Sequence, residues 1–309
     1  MYGESPLSVE GNGAVMIIVP DAPINIANDL AVTNRYKIGI IWDPGFSDGG
    51  TEVLDYRVSY DQGSGIWTYL QDEITVEYYT TASPLVEGKT YGFRVEARNA
   101  VGYSLPSEEL YVLAANIPAT PGTPTTTSVG PNTLVEWESS DDGGTEITGF
   151  IVSVLSADGE TFFEDDVNCP SDDATIIAER KCNIPNKVLN AAPFNLLWGT
   201  SVLAKVKTLN VVGHSPYSFV GNGAILLNGP SAPLNFAENR ALTTSYTIGL
   251  VWTAGDDNGG APILDYAVWG DQAIGESVLI ADGLTDTSYT VTNLSPGLVY
   301  TFQVVARNR

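Results

Sequence analysis

Histidine occurs once in the 309 residues, and cysteine and methionine only twice each. That stock cannot assemble a histidine-rich metal site, a CxxC framework or a Cys–His dyad. Basic residues are also scarce, with 14 Lys plus Arg against 37 Asp plus Glu, a formal charge of −23 and a pI near 4.1. Such a balance excludes nucleic acid as an expected partner, because that affinity comes mainly from cations neutralising phosphates. It equally disfavours docking on anionic lipid. No run approaches the roughly 18 apolar residues of a membrane span, so no membrane insertion is expected of this segment. Residues 1–20 have no basic n-region, and 15–19 is too short for a signal h-region. These features fit a mature chain or a piece of a longer one. Charged residues are only 17% of the chain and hydrophobic ones reach 43%, which excludes a disordered acidic tail. Aromatics at 10% supply ample core material.

What is present is repetition. GESPLSVEGNGAVMIIVPDAPINIA at 3–27 aligns with GHSPYSFVGNGAILLNGPSAPLNFA at 213–237, at an offset of 210. The match continues from Tyr36–Trp42 to Tyr246–Trp252 and from Leu54-Asp-Tyr56 to Leu264-Asp-Tyr266. A more divergent copy between them carries Trp137, Asp142-Gly-Gly144 and Phe150. Segments such as 57–60, 91–97 and 300–306 alternate apolar with polar residues, the period of half-buried strands. Gly, Pro, Asn and Asp punctuate them at sandwich-like spacing, and nothing of helical period and length appears. The linkers are Pro20-Asp-Ala-Pro23, Pro118-Ala-Thr-Pro121 and Pro230-Ser-Ala-Pro233, where proline stiffens short connections. Modules are expected at 20–114, 115–228 and 229–309, preceded by a separate segment, 1–19.

Each module resembles a fibronectin type III domain, and the resemblance covers nearly the whole chain. Trp42, Trp137 and Trp252 stand where that family has its strand-B tryptophan, followed by Tyr56, Phe150 and Tyr266 on strand C. The turn before strand F reads Leu85-x-x-Gly88-x-x-Tyr91, Leu196-x-x-Gly199-x-x-Val202 and Leu294-x-x-Gly297-x-x-Tyr300. Eight residues beyond stand Asn99, Asn210 and Asn308. The resemblance implies an all-β chain of three tandem immunoglobulin-like sandwiches with these Trp, Tyr and Phe residues in their cores. Independently of the family, a Trp facing an aromatic across two sheets is what a sandwich core needs. The middle module departs from the pattern. Val202 replaces the strand-F tyrosine, removing the tyrosine-corner hydrogen bond, and an insertion spans roughly 167–195.

Cys169 and Cys182 lie in that insertion. They are either a disulfide closing a 14-residue loop, contributing about 3 kcal/mol by chain entropy, or two surface thiols in a reducing compartment. The disulfide is carried forward, since a sandwich of extracellular type fits an oxidising milieu. The loops Ser47-Asp-Gly-Gly50, Asp141-Asp-Gly-Gly144 and Asp256-Asp-Asn-Gly-Gly260 suggest either calcium or a turn. An EF-type loop needs Glu at its twelfth position, where Ala267 stands. Asp and Gly also suit a tight turn, the preferred reading, so no metal is expected. His214 has Glu4 and Tyr103 as counterparts, and a position accepting three chemistries is a solvated loop site rather than a general base. Gly11-Asn-Gly13 and Gly221-Asn-Gly223 lack a P-loop lysine and read as bulges inside strand G. No catalytic residue and no cofactor is assigned, and a non-enzyme is expected. The Arg-Gly-Asp and Trp-Ser-x-Trp-Ser signatures of integrin-binding and cytokine-receptor relatives are absent. Asn293-Leu-Ser295 is an N-glycosylation sequon. Thr125, Thr126 and Thr127 are either an O-glycan platform or an ordinary Thr-rich edge strand.

The phase of the repeat bears most on function. Residues 1–19 match 211–229, the last strand (G) of the middle module plus its linker, whereas the third module reaches Arg309 without a G strand. A sandwich missing that strand exposes a row of unpaired backbone groups beside an open core. Residues 1–19 are therefore expected to act as a donor strand, with Val9, Val15 and Ile17 as its apolar contacts. The acceptor is another subunit or an adjoining stretch of a longer chain. The functional expectation is an extracellular or cell-surface structural protein, a subunit or repeat segment of a head-to-tail fibre whose partners are other copies of itself. The alternative is an adhesion or receptor ectodomain whose modules bind a protein or a glycan.

Overall fold

The computed structural model describes residues 2–139, 141–271 and 275–308. By compactness the chain falls into two units. One comprises residues 1–118, 141–147 and 210–213, and the other residues 119–140, 148–209 and 214–309.

In the first module, β1 (Ile24–Asn28), β2 (Gly39–Asp43) and β5 (Tyr78–Thr80) form one antiparallel sheet in the order β1-β2-β5. The opposing sheet runs β4 (Thr68–Ile74), β3 (Asp55–Tyr60), β6 (Thr90–Arg98), β7 (Leu110–Leu113). Alternation selects these strands, because successive side chains point to opposite faces. In β2, Ile40 and Trp42 are buried while Ile41 between them is exposed. The Trp42 ring meets Tyr56 of the other sheet edge-on at 5.5 Å. The core closes with Val58, Phe93, Val95 and Val112. On the outer face Arg57 pairs with Glu96 through two bonds of 2.7 Å, at the β3–β6 register Arg57↔Glu96. Its guanidinium lies over the Tyr69 and Tyr103 rings.

The middle module has β8 (Thr125–Val129) and β9 (Asn132–Glu136) in one sheet, and β10 (Ile147–Leu155), β11 (Phe162–Glu164) and β14 (Ala204–Asn210) in the other. Trp137 meets Phe150 at 5.2 Å. The insertion is not a loop throughout. It holds α1 (Ala174–Glu179) and α2 (Asn186–Leu189), separated by β12 (Lys181–Pro185), which pairs with β9 along all five residues. The Asp173 carboxylate starts α1 by accepting from the Thr175 and Ile176 N–H groups. Cys169 and Cys182 are disulfide-bonded and buried, so the bridge ties β12 to the segment before α1. Short strands β13 (Ser201–Val202), β15 (Gly213–His214) and β16 (Ala224–Ile225) complete the module, β15 beside β14 and β13 beside β16. Gly221-Asn-Gly223 lies outside any strand, contrary to the reading of a bulge within one. Gly221 passes so close to the Pro124 carbonyl that a side chain would collide with it.

The third module repeats the first. Its sheets are β17 (Leu234–Glu238), β18 (Ile248–Thr253), β21 (Ser288–Val291) and, opposite, β20 (Val278–Leu284), β19 (Asp265–Gly270), β22 (Phe302–Arg307). Trp252 meets Tyr266 at 5.6 Å. Among the described residues β22 has a neighbour on one edge only, β19, whereas β6 and β14 are flanked on both.

Candidate functional site

Three recurrent asparagines hold each module to the segment that precedes it. The buried Asn99 donates both amide hydrogens, to the carbonyls of Ile18 and Asp48 at 2.7 Å each. Its oxygen accepts from the Val101 and Gly102 N–H groups. Asn210 makes the same four bonds, to Asn116, Asp142, Val212 and Gly213. Asn308 donates to the Asn228 and Asn258 carbonyls. The linker also pairs directly with the Asp-Gly-Gly loop: the N–H groups of Ile18, Asn116 and Asn228 donate to the carbonyls of Gly49, Gly143 and Gly259. These glycines have φ between 68° and 83°, and a Cβ on any of them would collide with the linker carbonyl. The loops are thus turns shaped for close approach of a linker. Among the described residues no group of three or more His, Cys, Asp or Glu is arranged to hold a metal ion.

At the first of these joints the Arg35 guanidinium bonds Asp141 and reaches Glu87 at 3.4 Å, while its backbone N–H donates to Asn116. The Arg35 guanidinium, with the Gly143 N–H, holds the Asp141 carboxyl below its ordinary range.

The F–G region completes each of the first two modules. Gly88 donates to the Ala114 carbonyl and Ala114 back to Lys89. In the middle module Gly199 and Leu226 make the matching pair, Leu226 donating to Thr200. Ala114 and Leu226 are fully buried. Nearer the start of the strand, two serine hydroxyls take the place of ladder carbonyls. Ser104 and Ser107 accept from the Ala97 and Val95 N–H groups, and Ser215 and Ser218 from Thr208 and Val206. Each of these hydroxyls donates to the carbonyl of the next residue.

The corresponding side of the third module is a groove of about 700 Å³, lined by Phe236, Leu250, Leu294, Gly297, Tyr300 and Phe302. Leu298, also in the lining, and Val299 beside it are exposed. The Tyr300 hydroxyl accepts from the Ser295 N–H at 2.9 Å, as Tyr91 accepts from Val86 in the first module. Tyr91 is buried and Tyr300 only half-buried. Val9, Val15 and Met16, in contrast, stand 92%, 81% and 89% exposed, and residues 2–19 form no strand.

The other sequence candidates fall as follows. Asn293 and Ser295 of the sequon are exposed, as are Thr125 and Thr127. Thr126 is buried, its hydroxyl bonded to the Val202 carbonyl and to Asn222, which corrects its assignment as a glycan acceptor. His214 is exposed and lies 3.1 Å from the Ser215 carbonyl. The expected inward pair of the donor strand, Val15 and Ile17, is also revised by the middle module. There Ala224 faces buried Val202 and Leu226 is fully buried, while Ile225 is exposed. In the repeat, Ala14 and Met16 stand at the positions of Ala224 and Leu226.

A model of the fibronectin type III domain matches residues 22–112 and 231–309, more than half of the chain. The chain belongs to the fibronectin type III family. The fibronectin type III relatives include the striated-muscle M-protein of Gallus gallus, 26% identical over 309 residues, covering 94% of this chain and 19% of that protein. The neuronal cell adhesion molecule of Rattus norvegicus is 30% identical over 125 residues, 36% of this chain and 10% of that protein. The chain spans only 19–22% of the length of the first curated relatives it matches. A crystal structure of chicken CNTN1 FN1-FN3 domains aligns over 94% of both chains with 16% identity and a TM-score of 0.36. No helix among the described residues is long and apolar enough to cross a membrane.

Proposed function

We propose that this chain is a non-enzymatic structural protein of the extracellular space that assembles head to tail. A strand like residues 3–18, from another subunit or from an adjoining stretch of a longer chain, completes the third module. The observation that carries this reading is a complementary pair. Among the described residues β22 has a neighbour on one edge only, beside a groove, and the exposed 3–18 segment repeats the sequence of 213–228, which lies along the matching strand in the middle module. β-Augmentation of this kind supplies main-chain hydrogen bonds to an unpaired edge. Because donor and acceptor are different surfaces, the contact is heterologous and propagates as an open filament. The buried disulfide supports an oxidising compartment.

The test is assembly by the purified 309-residue protein. Sedimentation velocity and negative-stain imaging are expected to reveal concentration-dependent oligomers and filaments. Removal of residues 2–15, which spares Ile18 and its bonds to Asn99 and Gly49, should leave thermal unfolding of the three modules in place and abolish filaments. Filaments formed normally by the truncated protein would reject strand donation. The adhesion-molecule relative favours a second reading, an ectodomain whose modules bind a protein or glycan. That protein would stay monodisperse at all concentrations and be retained on an immobilised ligand array.

A further inference from the structure

We infer that the outer face of the β4-β3-β6-β7 sheet in the first module binds a glycan carrying a single carboxylated sugar, with Arg94 as the residue that receives the carboxylate. The inference uses only side chains of that one sheet, so its failure would leave strand donation untouched.

Acids outnumber bases by 37 to 14, so an arginine in this chain ordinarily finds a carboxylate. Arg35, Arg57, Arg98, Arg240 and Arg307 each do. Among the described residues Arg94 and Arg180 do not, and of these two only Arg94 is stacked on a ring. Its guanidinium lies 4.3 Å from the centre of the Trp67 ring, and its Nε is buried without a partner. Its terminal nitrogens make no hydrogen bond among the described residues. Two neighbours on the same face show an arginine whose role is spent on the fold. Arg57 has the Tyr69 and Tyr103 rings and Glu96, and Arg98 has Tyr103 and Asp55. Arg94 has one ring and no counter-ion. The acids that border it are already engaged. Arg57 holds Glu96, and the Gly63 and Gly92 N–H groups hold Asp61. Glu109, next in register beyond the Phe93↔Leu110 pair, accepts instead from the Tyr111 hydroxyl at 2.7 Å.

Gly92 lets rings lie down beside that charge. A Cβ there would meet the Tyr111 ring at 2.9 Å and the Trp67 ring at 3.3 Å. Tyr69 and Tyr111 are exposed. The flat C–H face of a sugar packs on such rings, and a guanidinium takes a carboxylate through two parallel N–H bonds. Strands β3 and β6 are flanked on both sides, so the face has no free main-chain edge for a peptide to extend. Charge narrows the occupant further. A chain of charge −23 repels a polyanion or an acidic protein at long range, whereas a ligand with one carboxylate meets little of that repulsion.

The repeat contains its own controls. Five residues before Asn210, where Arg94 stands relative to Asn99, is Lys205, and five before Asn308 is Gln303. The Lys205 ammonium lies between Phe162 and Tyr217, at 3.9 and 4.2 Å, so rings cover it on both sides. Gln303, opposite Trp269, brings no charge. One site per chain is therefore expected.

Titration of the full chain with 3′-sialyllactose, followed by saturation-transfer NMR and tryptophan fluorescence, is expected to saturate, and lactose to give no response. Arg94→Gln, which installs the residue the third module carries, should weaken binding about tenfold or more without shifting thermal unfolding. Arg94→Lys, which keeps the charge but loses the planar fork, should weaken it several-fold. It also serves as the test if glutamine disturbs the fold. Lys205→Gln should leave binding unchanged. Absence of saturable binding by the folded chain overturns the proposal, and so does equal binding of lactose. Binding undiminished in both Arg94 variants overturns the site. Tighter binding of a short acetylated aspartyl peptide than of the sugar would assign Arg94 to a polypeptide carboxylate and overturn the glycan.

Discussion

Asn99 illustrates how much one side chain can hold when an amide's donors and acceptor are all used. It joins three stretches of backbone through four hydrogen bonds while buried from solvent. A single amide can do this because it carries two donors and an acceptor with two lone pairs. Truncation leaves buried carbonyls and N–H groups unpaired, so Asn99→Ala is expected to cost about 1–3 kcal/mol in urea unfolding. Asn99→Asp should cost more, since it sets a carboxylate against the carbonyl oxygens of Ile18 and Asp48. Asn308→Ala, at a half-buried position, should cost less than either. Equal losses at positions 99 and 308 would show that burial is not what gives the clamp its strength. The recurrence of these asparagines is readable in the sequence, but their partners are not. Alternation tells which face a residue occupies, whereas the Ile18 carbonyl lies 81 positions away.

At the scale of elements, the sandwich was legible because its core depends on a spacing that survives divergence. An aromatic on one sheet faces a tryptophan on the other, and Trp42–Tyr56, Trp137–Phe150 and Trp252–Tyr266 keep that geometry in all three copies. The insertion was not legible for the opposite reason. Six residues are too few to display a helical period, and Asp173, which caps α1, is one of many acids nearby. Lys181–Pro185 becomes a strand by pairing with the edge of β9, a long-range contact that the local sequence does not display. Gly221–Gly223 breaks the alternation before Ala224, so counting from the preceding serines does not tell which side of that segment faces inward. The disulfide then matters to this element above all, since it anchors β12 from one end. Both sulfurs are buried, so alkylation without reductant is expected to add no label to the native protein. The double change Cys169→Ser/Cys182→Ser should destabilise the middle module by about 2–4 kcal/mol. Uptake of two labels by the oxidised protein, or unchanged unfolding of the double variant, would remove the bridge from this role.

For the whole molecule, the charge of −23 sets the terms on which copies meet. Like-charged chains repel at long range, while a donated strand as proposed would be held by main-chain bonds and no ion pair. Salt therefore acts on the repulsion and leaves the attraction almost untouched. The Debye length falls from about 30 Å at 0.01 M to about 8 Å at 0.15 M ionic strength, so the repulsion between approaching copies fades over that range. Association measured by sedimentation is expected to tighten as sodium chloride rises from roughly 0.01 M to 0.3 M, mainly through a faster on-rate. An assembly that weakened with salt would mean that opposite charges hold the copies together. The contact would then have to be sought in charged surface side chains rather than along β22.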